Sequence, residues 1–270
     1  MSFDNQVYLS YGDEKVTTST KRHRLGTRGV LPDGRVFYYA RNGATELAPH
    51  LVVISKTVRS GTHAAAQTIS TVISSGNTNP VGTTVGVIWA TTPHTSGEYD
   101  DGYMTVETTP GEGVYKIASD PAAATSGVGS RIILEESDPL KVALTTVSKL
   151  AFEANPYSSV VVATTGAAPN NQTAGVAGVP NVTVPIRDYF WCQTWGHAAV
   201  RYDATTAAVV SGKVLLALTS PGVTGAFNST TSGDTTAWKN RGNSPTIGWV
   251  YQQLIPDGGD NLGVFLTIRP

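Results

Sequence analysis

Leu262-Gly263-Val264-Phe265-Leu266-Thr267-Ile268 is the stretch that sets the fold class. Its aliphatic residues fall at every second position, so an extended chain places Leu262, Val264, Leu266 and Ile268 on one face. A helix would scatter the same four side chains around its surface. Val182, Val184 and Ile186 repeat the alternation. Residues 103–107, 114–117, 131–135, 159–163 and 213–218 are further runs of strand length. Pro32-Asp33-Gly34 joins the fixed φ of proline to a glycine able to take positive φ, which predicts a hairpin with arms at 29–31 and 35–40. Asn42-Gly43 and Asp257-Gly258-Gly259-Asp260 read as two more tight turns. Only 62–74 and 139–152 carry spacing compatible with a helix, and both are equally compatible with strand.

This punctuation predicts a mainly β protein: two β-sandwich or barrel-like domains, 30–155 and 156–270, preceded by an extended N-terminal arm, 1–29. The boundary is set at Asn155-Pro156, because proline pushes the preceding residue out of helical geometry and the apolar pattern restarts beyond it. The arm is polar and holds the densest basic cluster, Lys21, Arg22, Arg24 and Arg28. Residues 163–182 and 220–243 read as long loops.

Composition narrows the function. The 270 residues hold 19 Lys+Arg against 20 Asp+Glu, a net charge of -1, and only 14% are charged. Such a chain has no long-range field to gather nucleic acid or an anionic membrane, so neither is an expected partner. No apolar run is long enough to span a bilayer, and the start carries no basic segment followed by an apolar core, so the chain is expected to be made in a cytoplasm without a signal peptide. The Asn171, Asn181 and Asn228 sequons read as chance matches in a Thr-rich chain. Cys192, the single cysteine, follows Tyr189-Phe190-Trp191 and is predicted to be a buried thiol.

Catalytic patterns are missing from the sequence. His23, His50, His63, His94 and His197 share no ligand spacing and read as loop or surface residues. Glu98, Asp100 and Asp101 lack the regular spacing of a calcium loop, and with Glu135, Glu136 and Asp138 they are expected to be solvated acidic turns. The serine after Gly127-Val128-Gly129 does not stand at the centre of a nucleophile elbow, and no phosphate loop occurs. The expectation is a protein without enzymatic activity, metal or cofactor. Residues 189–196 read as a central strand, with a carbohydrate platform as the competing reading. Trp89, Trp238 and Trp249 are the candidate surface-recognition aromatics.

A resemblance adds to this reading. Tyr11 to Val16, Arg24-Leu25-Gly26-Thr27-Arg28, Leu31-Pro32-Asp33-Gly34-Arg35-Val36-Phe37-Tyr38-Tyr39-Ala40 and Asn42-Gly43 resemble the start of virion proteins of tailed bacteriophages, usually encoded close to the major capsid protein. The likeness continues through Tyr99-Asp100-Asp101-Gly102-Tyr103, Gly111-Glu112-Gly113-Val114-Tyr115, Asn155-Pro156-Tyr157, Gly178-Val179-Pro180 and Tyr189-Phe190-Trp191. What it implies is a capsid decoration (cement) protein on the outer capsid surface. Its partners would be the major capsid protein and further copies of itself, as a dimer or trimer. On that reading Lys21, Arg22, Arg24 and Arg28 anchor the arm to an acidic capsid patch. A receptor- or carbohydrate-binding module of a head or tail fibre is the alternative.

Overall fold

The computed structural model describes residues 5–55, 67–68, 81–82, 84–89, 96–107, 113–120, 130–145, 148–163, 175–201, 214–217, 224–226, 246–251 and 261–270. The chain is mainly β. Among the described residues there is no α-helix, and one 3-10 turn spans Asp13–Lys15. The strands are, in chain order, β1 (Gln6–Tyr8), β2 (Arg28–Val30), β3 (Val36–Arg41), β4 (Val53–Ile54), β5 (Gln67–Thr68) and β6 (Val85–Trp89). There follow β7 (Tyr103–Val106), β8 (Gly113–Ser119), β9 (Ser130–Leu134), β10 (Lys149–Glu153), β11 (Val161–Val162) and β12 (Val176–Pro180). The last are β13 (Tyr189–Arg201), β14 (Val214–Ala217), β15 (Thr224–Ala226), β16 (Thr246–Val250) and β17 (Asn261–Thr267).

Two compact units result, each built on one sheet. Unit 1 is Met1–Thr57 with Pro156–Pro270, and unit 2 is Val58–Asn155. The expected first domain, 30–155, is therefore corrected: residues 30–57 belong with the C-terminal half. The reason is strand pairing, since β3 lies antiparallel to β13 with Ala40 opposite Phe190 and Phe37 opposite Gln193. The arm is corrected as well. β1 pairs parallel to β2, β2 forms the Pro32-Asp33-Gly34 hairpin with β3, and Leu9 and Leu25 are buried in the core.

The eleven-stranded sheet of unit 1 runs β1-β2-β3-β13-β17-β16-β14-β15, with β12 joining β13 to β4 and β4 pairing β11. β13 is the hub. Its 13 residues pair first with β3, then with β17 from Trp195 opposite Thr267 to Arg201 opposite Asn261. Phe190, Trp191, Cys192, Gln193 and Thr194 are buried in succession, as in a strand covered on both faces. Cys192 is fully buried, and burial pushes its thiol pKa up, which leaves it inert. Phe37, Leu47 and Phe190 fill one core cluster, and Val200, Ile247, Leu262, Val264 and Leu266 a second.

Three local expectations change. Val182, Val184 and Ile186 form no strand: Val184 alone bridges Leu47, and Ile186 is exposed, because Pro185 has no N–H to continue a ladder. Asn42-Gly43 is no tight turn. Asn42 is buried, and its Nδ2 donates to the carbonyls of Thr45, Val184 and Pro185 at 2.9, 3.0 and 2.8 Å. Asp257 to Asp260 lie outside the described residues.

Unit 2 carries the six-stranded sheet β5-β10-β7-β8-β9-β6 over a core of Met104, Ile117, Ile132, Leu134, Leu140, Leu144, Leu150 and Phe152. Leu140 and Leu144 are buried without a helix, and 149–153 is strand. Of 62–74, only 67–68 lie within the described residues. The acidic turns are not simply solvated. Asp101 is buried, the Asp120 N–H donates to Asp100 at 2.6 Å, and the Lys116 N–H donates to Asp138 at 2.8 Å. Glu135 is buried too. The Asp100 and Asp138 carboxylates thus cap backbone groups between strands.

Two outcomes follow. The chain leaves and re-enters unit 1 at paired strands, with Ile54 opposite Val161. Replacing 58–155 by a short Gly/Ser linker is expected to leave unit 1 with one cooperative thermal transition, and a product without one would overturn the division. Gly178 has φ +145, and an added Cβ would lie 2.4 Å from the Gln193 carbonyl oxygen and 2.7 Å from Cys192 Sγ. Gly178→Ala is expected to cost about 2–4 kcal/mol in denaturant titration, from strain and overpacking together; an unchanged midpoint would contradict this packing.

Candidate functional site

Two surfaces of unit 1 collect side chains suited to recognition. The first is the N-terminal segment. Its isolated apolar residues Leu9 and Leu25 and its buried Thr27 fasten it to the body. That anchoring turns Tyr8 and Tyr11 outward, 84% and 63% exposed. Later in the same segment Arg22 and Arg24 are exposed, while Lys21 and Arg28 are half-buried. Arg28 Nη1 donates to Gln6 Oε1 at 2.7 Å and its Nε to the Pro270 carbonyl at 3.3 Å. The Arg22 N–H donates to the Tyr39 hydroxyl at 3.1 Å. His23 sets its ring edge-on to Tyr39 at 5.2 Å and lies 5.3 Å from Trp191. The four basic residues predicted for an extended arm are thus mounted on a segment packed against the body, and β1 forms one end of the described sheet.

The second surface comes from strand alternation on β13, β17 and β16. His197 stands opposite Phe265, and Phe265 opposite Trp249, so the three rings share one face. His197 meets Phe265 edge-on at 5.4 Å and Tyr251 at 4.8 Å; Trp249 stacks on Phe265 at 6.4 Å, and Trp195 meets the same ring at 5.5 Å. Trp249 is 49% and Tyr251 66% exposed. Beside this strip lies an open cleft of about 410 Å³ walled by Lys15, Arg35, His50, Asn181, His197 and Tyr251. The sequence reading placed Trp249 among recognition residues, and Trp195 within the competing platform reading of 189–196, but missed His197, Phe265 and Tyr251. Alternation could have put Trp195 and His197 on one face; the pairing that adds Phe265 and Trp249 is long-range. Trp89 ends β6 in unit 2, and Trp238 lies outside the described residues.

The polar wall of the cleft is ordered from behind. Gln193, fully buried, donates through Nε2 to the His197 and Trp195 carbonyls at 2.7 and 3.2 Å. Both of its amide hydrogens are then used, so Oε1 accepts from Asn181 Nδ2 at 3.1 Å. A register shift between Gln193 and Trp195 lets the strand turn Gln193 inward here. Arg35 is held by Asp33 at 2.8 Å and lies 3.9 Å from buried Glu14. His50 sits at φ +68, donates its N–H to the Pro180 carbonyl and accepts from the Arg201 N–H, both at 2.8 Å. Its Nδ1 is buried without a partner. Burial lowers the pKa of His50, opposed by a hydrogen bond with the Ala199 backbone; burial and the charge of Arg22 lower that of His23. Among the described residues, no three His, Cys, Asp or Glu are grouped to hold a metal ion.

No protein family, curated protein or solved structure matches the chain.

The two histidines make stability depend on pH. Both are less basic in the folded chain than the ordinary value of 6.5, so near pH 6 the unfolded chain binds more protons and folding is favoured as pH rises. Tm is expected to fall as pH drops through about 6.5. His50→Asn, whose side chain tolerates positive φ, should flatten part of that slope. A Tm that climbs on acidification, or an unaltered slope in the variant, would contradict the assignment.

Proposed function

We propose that the protein is a structural, non-catalytic virion component that binds the outside of a phage capsid and stabilises contacts between capsomers. Its partners are the major capsid protein and further copies of itself. Two things support this reading: the sequence resemblance to virion proteins, and the composition of the fixed N-terminal surface. That surface is the observation that carries it.

Tyr and Arg are the side chains that dominate protein interfaces, since each offers large contact area with a polar end. Here Tyr8, Tyr11, Arg22 and Arg24 are displayed by a segment whose backbone is already ordered. A preordered segment loses less conformational freedom on docking than a mobile arm. β1 adds an edge along which a capsid strand can pair. The guanidinium groups suit acidic residues on the shell through paired hydrogen bonds. A net charge of -1 lets many copies crowd one surface without strong mutual repulsion.

Removing residues 1–29 would strip Leu9 and Leu25 from the core, so point variants make the sharper test. The double variant Tyr8→Ala/Tyr11→Ala and the charge reversal Arg22→Glu/Arg24→Glu are each expected to lower affinity for undecorated capsids about tenfold or more, with Tm little changed. Wild-type occupancy in both variants would sink the proposal.

A further inference from the structure

We infer that the cleft of unit 1 beside the aromatic strip is a binding site for a neutral saccharide, with Tyr251 as the stacking platform. This site lies on β13, β16 and β17, apart from the N-terminal surface assigned above to capsid docking.

The lining selects the ligand class. Sugar rings present hydroxyls that need both donors and acceptors at fixed angles, together with C–H faces that pack against aromatic rings. The cleft supplies both. Because Gln193 spends its two amide hydrogens on backbone carbonyls, it accepts from Asn181 and holds that amide in one orientation, which leaves Asn181 Oδ1 as an acceptor on the wall. Lys15 and Arg35 are donors. Arg35 already faces Asp33 and Glu14, and Lys15 follows Asp13 and Glu14 in the chain. Arg35 is matched by Asp33 and Glu14, which leaves Lys15 as the one donor cation on the wall without a carboxylate contact among the described residues, so an anionic ligand would gain only that single attraction.

The apolar side is equally specific. A Trp and a Tyr, about half and two-thirds exposed, adjoin each other on a sheet face where water contact is unfavourable. Tyr251 and His197 belong to the cleft, and the rings continue outward through Phe265 to Trp249. A row of rings leading out of a polar cleft suits a chain of sugars, with one unit in the cleft and the next along the strip. The volume, 410 Å³, lies in the range of small-ligand sites and suits about one or two rings.

The test uses the full-length protein and isothermal titration with four neutral trisaccharides (cellotriose, maltotriose, triacetylchitotriose, galactotriose) and the acidic trigalacturonate, with tryptophan fluorescence as a second readout. At least one neutral trisaccharide is expected to bind saturably below about 10 mM. Tyr251→Ala should weaken it about tenfold or more, and Tyr251→Phe, which keeps the ring, should retain it. Tyr8→Ala/Tyr11→Ala should bind sugar as wild type does, and Tyr251→Ala should still occupy capsids, so this site and the docking surface fail separately. No saturable binding of any neutral trisaccharide, binding indifferent to Tyr251→Ala, or a preference for trigalacturonate would each overturn the inference.

Discussion

The hydrogen bonds of β13 change partner at Gln193 to Trp195, and the rest of unit 1 is arranged around that exchange. Before it the strand lies between β3 and β12, and after it against β17. At the exchange the register slips, as a bulge on the β3 side. Thr194 fastens the break: its carbonyl accepts from the Ile268 N–H at 3.0 Å, and its hydroxyl donates to the Arg269 carbonyl at 2.8 Å. Gly196, at φ +89, follows at once, where a side chain would press on Arg35 at 3.0 Å. The residue that orders the cleft, Gln193, and the residue at its mouth, Arg35, are therefore both set by the same local irregularity.

The basic cluster acquires a different meaning once its backbone is fixed. Charge on a mobile arm searches for a partner and loses conformational freedom when it finds one. Charge on a packed segment presents one pattern at all times. Leu9 and Leu25 are the residues that convert the one case into the other, each burying an aliphatic side chain worth about 1.5–3 kcal/mol. Two such anchors hold a polar stretch without a continuous apolar pattern. The β1 to β2 pairing is parallel, so the polar turn-rich connection between them must run back along the body.

Those same features explain what could be read from sequence. The strand at 262–268 was legible because its alternation is local, and the Pro32-Asp33-Gly34 hairpin because its turn chemistry is local. Cys192 was legible as buried because it follows three large apolar residues. Single leucines in a polar segment carry no period, so the packing of residues 5–29 was not. The membership of residues 30–57 depends on β3 meeting β13 some 150 residues later, a pairing that no window of sequence contains. Leu140, Leu144 and Leu150 mimic helical spacing because an irregular chain can bury leucines at any interval. The acidic turns read as solvated because sequence gives carboxylate positions but not the backbone N–H groups waiting for them.

Trp249 shows the same limit from the functional side. Alone in sequence it is one dispersed aromatic among five tryptophans. In the sheet, the burial of Ile247 and Val250 on one side and of Leu262, Val264 and Leu266 beside them locks the registers of β16 and β17. Strand side chains alternate, so fixing the inner face also fixes the outer one. A slip of one residue in β17 would bury Phe265 and turn Leu262, Val264 and Leu266 to water, an exchange that these three aliphatic side chains oppose at several kcal/mol, by about 1.5–3 kcal/mol each. The aromatic strip is held in place from beneath by residues that no ligand would touch. Substitutions in Val264 or Leu266 would therefore disturb the outer surface through register and packing, whereas Tyr251, exposed just beyond β16, can change its ring without moving the sheet.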